Sequence, residues 1–139
     1  MPLGVDVCGY LATTGLGLGL TAGVNLFAVP FPEQSQAQAV CLIEYPGSEP
    51  DHAAGPSLTA PLFELPRFQI VCRDIESNAL TCRALAESIY QSLDGLADTT
   101  LGSARYLLIK AVQSPFYLSQ DDNSRHRVVC NYEATKTRG

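Results

Sequence analysis

Apolar residues recur along this chain with two periods, one near 3.6 and one of 2, and the switches between them outline the elements. Leu3, Val7, Tyr10 and Leu11 stand at i, i+4, i+7 and i+8, the stripe of a short amphipathic helix. Pro2 suits its first turn and Thr14-Gly15 its end. Gly4 and Gly9 each weaken it by up to about 1 kcal/mol relative to Ala, so tertiary packing must hold it. A stronger helical stripe runs through Cys82, Leu85, Ala86, Ile89 and Leu93. Asp74 or Ser77 is placed to cap it, and Gly95 to close it with a left-handed turn.

Period 2 marks the strands. A short one is expected near Asn25–Phe27, stopped by Pro30 and Pro32. Ala39–Tyr45 sets Cys41, Ile43 and Tyr45 against Leu42 and Glu44. Arg67–Arg73 turns Phe68, Ile70 and Cys72 inward and Arg67, Gln69 and Arg73 outward. Tyr106–Val112 is apolar on both faces (Leu107, Ile109 and Ala111; Tyr106, Leu108 and Val112), the mark of a central or covered strand. Pro115 breaks it, Phe116–Asn123 reads as a connection, and Arg127–Ala134 is the last strand, with Val128, Cys130 and Tyr132 on one side. Gly47–Pro66, with four prolines and two glycines, reads as an arm that orders on a neighbour, and Thr135–Gly139 as a frayed, flexible tail. The expectation is one α+β domain over residues 1–139, an approximately four-stranded, mostly antiparallel sheet with two helices packed on it.

Charge sharpens this picture. Through Pro66 there are six acids (Asp6, Glu33, Glu44, Glu49, Asp51, Glu64) and no Lys or Arg; from Arg67 nine basic residues face eight acids. An acidic chain without a basic cluster is poorly suited to wrapping nucleic acid, because phosphate neutralisation supplies most of that affinity. It suits a surface that lets DNA slide past, and the unlike halves could also meet between subunits. Only 17% of residues are charged, a composition that favours an oligomer. No apolar run reaches the roughly 18 residues of a membrane span, and no basic segment of a secretory signal precedes the first helix.

Candidate chemistry is sparse. Five widely spaced cysteines (Cys8, Cys41, Cys72, Cys82, Cys130), without CxxC and mostly within apolar stripes, read as buried reduced thiols rather than disulfides or a zinc site. Gly15, Gly17, Gly19 and Gly23 are not spaced as GxGxxG, and no Gly-Lys-Ser/Thr follows, so they read as a turn and not a phosphate cradle. Asp121, Asp122 and His126 are too few for a metal site, and a charged hairpin loop is the simpler reading. His52 is without a partner visible in sequence. No Ser or Cys lies in a recognisable nucleophile elbow, so an enzyme is not expected, and no cofactor.

Taken together, several pieces resemble one family. They are the helix ending in Thr14-Gly15-Leu16-Gly17, then Asn25-Leu26-Phe27 and Pro30 and Pro32, and the strand Phe68-Gln69-Ile70-Val71-Cys72-Arg73. After these come the helix from Ala84 to Leu93 and the block Pro115, Leu118, Asp121, Arg125 and Val128–Tyr132. This order is similar to that of the tail terminator, or tail-completion (minor capsid), proteins of long-tailed bacteriophages; Ser119 stands where a glycine is expected. The resemblance implies a structural virion protein at the head-proximal end of the tail, assembled in the cytoplasm of the bacterial host. It implies a homo-oligomeric ring of about six copies, closed by heterologous contacts. The ring would cap the tail tube, stop its polymerisation and offer a surface for head–tail joining. Its partners would be the tube protein and the head–tail connector or head-completion protein, with DNA as passing cargo only and no membrane. Arg67, Arg73, Asp121 and Arg125 are the expected oligomer or docking contacts, and Glu44, Glu49 and Glu64 an expected acidic lumen. Three alternatives stay open: a head-completion or connector adaptor, a small metal-dependent cytosolic enzyme using Asp121, Asp122 and His126, and a monomeric regulatory binder.

Overall fold

The computed structural model describes residues 3–13, 16–31, 38–51, 63–74, 79–102, 104–120 and 125–137. In chain order the elements are α1 (Leu3–Leu11), β1 (Leu26–Phe27), β2 (Ala39–Asp51), β3 (Phe63–Asp74), α2 (Ala79–Leu93), β4 (Leu96–Leu101), β5 (Ala104–Ala111), β6 (Phe116–Gln120) and β7 (His126–Thr137). They form a single α+β unit whose seven strands make one mixed sheet, ordered β1-β2-β3-β7-β5-β4, with β6 also paired to β7. Among the named strands β1 pairs with β2 in parallel, and the other described pairs are antiparallel.

The sheet is therefore larger than the expected four strands, and mixed. Two additions account for most of the difference. Leu96–Leu101 carries Asp98, Thr99 and Thr100 and lacks a strand's alternation, so its pairing to β5 decides its conformation. Phe116–Gln120, expected as a connection, is β6 because Pro115 ends β5 without ending the extended chain. Along one side of β7, β5 covers residues 132–136 and β6 covers 126–129, so the two run head to tail past the break at Pro115.

Both helices lie on one face. Val40 and Leu42 of β2, Phe68, Ile70 and Cys72 of β3, and Val128, Cys130, Tyr132 and Ala134 of β7 meet Leu3, Val7 and Leu11 of α1 and Cys82, Ala86, Ile89 and Leu93 of α2. Full burial of each Leu, Ile or Val contributes about 1.5–3 kcal/mol. At the centre Phe68 and Tyr132, directly opposite in register, stack with centroids 5.2 Å apart and planes 13° off parallel. Gly4 is the close-approach point of α1, since a Cβ there would lie 3.3 Å from Ala28 Cβ and 3.5 Å from Leu42 Cδ2. Gly95, with φ of 83°, ends α2 as expected, and Asp94 Oδ1 accepts the Ala111 N–H at 2.8 Å, stitching the helix end to β5.

Several boundaries differ from expectation. Asp74 closes β3 and is no helix cap; residues 75–78, Ser77 included, lie outside the described residues. Of the expected arm, Gly47–Asp51 and Phe63–Pro66 extend β2 and β3, and residues 52–62, with His52, lie outside the described residues. Thr135–Thr137 of the expected flexible tail belong to β7, where Lys136 is buried, because β3 and β5 pair with them on either side. In β5 the register shifts between Tyr106 and Leu108, so Tyr106 and Ile109 both face the helices rather than opposite sides.

Candidate assembly surfaces

Alternate residues of the same strands point away from the helices and build an outer face with two halves. One half is apolar and covered: Cys41, Val71 and Val129 pack with Phe27, Phe31 and Ile43. Arg73 belongs to this half, with its guanidinium 4.0 Å from the centroid of the Phe31 ring and only 4% of the residue exposed. Arg73, one of the expected docking contacts, does leave the helix face, but within the single copy Phe31, distant in sequence, covers it.

The other half is polar and open. Glu133 of β7 stands in register with Arg67 of β3 on one side and Lys110 of β5 on the other. Arg67 Nε donates to its Oε2 at 3.0 Å, and Lys110 Nζ lies 3.8 Å from its Oε1. Gln69 Nε2 donates to Asn131 Oδ1 at 3.0 Å one pair further along. The cations remain about half exposed, so each pairing contributes in the range of about 0.2–1 kcal/mol. Arg67, Lys110 and Glu133, with Tyr45, Ala111, Val112 and Asn131, line a shallow concavity of about 340 Å³.

Alongside the covered half, paired to residues 126–129 of β7, lies β6, which sequence reasoning missed. Phe116, Tyr117 and Leu118 are three successive exposed apolar residues, with Val112 exposed just before them. The run Phe-Tyr-Leu, rich in strand formers, was the available signal; the proline ahead of it masked it. Tyr117 Oη and His126 Nδ1 share a hydrogen bond at 2.9 Å, and Arg127 Nη2 donates to Ser119 Oγ, so the hairpin is tied by side chains as well as backbone. Arg125 sits at the start of the returning strand, half-buried; Asp121 and Asp122 lie outside the described residues.

The three glutamates expected to line a lumen all fall on the β2–β3 hairpin. Glu44 is exposed, on the helix-side face opposite Phe68. Glu64 is half-buried and in register with Lys136, and Glu49 lies in the extended part of β2. Asp6, counted among the acids of the first half, takes no part in a surface: it is 4% exposed and accepts the Tyr106 Oη–H at 2.8 Å. Burial, and then that bond to Asp6, pushes the Tyr106 hydroxyl far above its ordinary range.

Chemistry of the bond-making kind finds no support in the cysteines. All five are free and buried, and burial raises Cys8 to about 11, Cys41 to about 12 and Cys82 to about 11. Such thiols are neutral at physiological pH and are poor nucleophiles. Among the described residues no three His, Cys, Asp or Glu converge as metal ligands, and no helix is long and apolar enough to cross a membrane.

A family model described as "Bacteriophage tail terminator protein" matches residues 10–138. Among solved structures, a chain of "Virion of native gene transfer agent (GTA) particle" shares the fold, with a TM-score of 0.67 and 19% identity over 98% of this chain and 95% of that one. No curated protein sequence matches significantly.

Proposed function

The chain belongs to the bacteriophage tail terminator proteins, a family of structural virion components of the tail, and from that membership we propose that its copies close into a ring. The ring, of about six copies, sits on the head-proximal end of the tail tube, halts addition of tube subunits and presents a surface to the head's connector. The family match over nearly the whole chain is the observation that carries this reading. The exposed row Phe116-Tyr117-Leu118 supports it, since a free monomer gains nothing from an apolar strand in water. Arg67, Arg125 and Asp121 are the candidate docking contacts, and Glu44, Glu49 and Glu64 face a lumen through which DNA passes by repulsion.

Purified protein added to polymerising tube protein tests the reading. A terminator fixes tube length and is seen as a cap at one end by electron microscopy. Tubes of unregulated length, with the protein found only between heads and finished tails, would indicate a connector adaptor instead.

A further inference from the structure

Strand β6 pairs with β7 along one side, and among the described residues no element lies along the other. An open edge presents a row of backbone donors and acceptors to any strand that approaches. Here that row comes with exposed apolar side chains: Phe116 is 38% exposed, Tyr117 50% and Leu118 48%. The outer edge of β4 is built in the opposite sense. Its residues Ala97, Asp98 and Thr100 are exposed, Asp98 has a φ of 48°, and its carboxylate holds Arg105 at 2.7 Å. A left-handed, charged residue in mid-strand blunts an edge against pairing.

At the far end of the sheet, β1 covers β2 only at Val40 and Cys41. From Leu42 to Asp51 the outer side of β2 has no strand partner among the described residues. That stretch is acidic in sequence (Glu44, Glu49, Asp51), whereas β6 itself carries no charged residue, and in the β6–β7 hairpin Arg125 and Arg127 are balanced by Asp121 and Asp122. Apart from the blunted edge of β4, the sheet therefore has, among the described residues, two unpaired edges on opposite flanks, one uncharged and apolar along β6, one acidic along β2.

We propose that β6 of one copy adds to the outer edge of β2 in the next, so that one hydrogen-bonded sheet runs from subunit to subunit. The proposal rests on the ring reading above and specifies the joint. Pairing β6 with β6 would be isologous and would stop at a dimer, and the edge of β4 is blunted. Pairing it with β2 is head to tail, the kind of contact that can close a ring.

Amide hydrogen exchange tests it, comparing the full chain assembled, in solution or on tail tubes, with the dilute monomer. Exchange should slow by about tenfold or more in both 116–120 and 42–51 on assembly. A second measurement uses Leu118→Asp and Leu118→Lys, which lose the same apolar side chain. Facing the acidic edge of β2, Leu118→Asp should associate roughly tenfold more weakly than Leu118→Lys. Protection confined to other segments, or equal association of the two variants, overturns the edge pairing while leaving tail termination standing. A wild-type protein that associates neither in solution nor on tubes removes the ring reading, and the proposal with it.

Discussion

The helix side and the outer side of the sheet are made from alternate residues of the same strands, yet they obey different economies. On the helix side Phe68, Tyr132, Ile109 and Val128 are fully enclosed, and even the polar Asp6 is paired to Tyr106. On the open half of the outer side, Glu133 is held between Arg67 and Lys110 in partial contact with water. Enclosure makes each contact on the first side expensive to lose. Solvent makes those on the second cheap to lose. Stability is thereby concentrated in alternate residues of one strand, as β7 shows with Tyr132 and Glu133.

The sharpest way to break this contrast is alkaline pH. The buried thiols hold their protons in the folded state to about 11 or 12, against about 9 in an unfolded chain. Above pH 9 the unfolded state therefore binds fewer protons, so stability should fall steadily as pH rises from there. Chemical denaturation at pH 7, 9 and 10.5, with near-constant values up to pH 8.5, is the check. Tyr132→Ala should cost about 3–5 kcal/mol, because it opens a cavity and removes the stack on Phe68; urea titration reads it. Gly102→Ala should cost about 1–3 kcal/mol, since Gly102 has a φ of 61° and a Cβ there would overlap Asp6 Oδ1. A thermal melt unchanged from wild type would show that the contact between the 102 turn and α1 is slack. Arg67→Ala should cost less than about 1 kcal/mol, an effect that shrinks further in high salt. The smallest change in folding belongs to Leu118→Ser, within about 0.5 kcal/mol, although sedimentation of that variant should show reduced self-association.

The same contrast explains what could be read from the chain beforehand. Elements that bury one face announce themselves by period: α2 through Cys82, Ala86, Ile89 and Leu93, and β3 through Phe68, Ile70 and Cys72. Strand β1 was legible from Asn25–Phe27 between glycines and prolines. Strand β4 was not, because Ala97-Asp98-Thr99-Thr100 has no apolar face and is extended only through its ladder to β5. The burial of Arg73 depends on Phe31, forty-two positions earlier, and no local pattern encodes such a contact. Of the expected contact residues, Arg67 and Arg125 are placed at or near the open surface. The residues that most plainly invite a partner, Phe116 to Leu118, were hidden behind a proline that breaks one strand only to start the next in line.

That collinear arrangement has a mechanical side. Because β7 is gripped by β3 along one flank and by β5 and β6 in tandem along the other, it has no loose margin from which to be peeled. Tension applied along it is shared as shear by both flanks, so many hydrogen bonds must yield together instead of one after another. A strand held this way is a sound tether for a structural component of a virion tail.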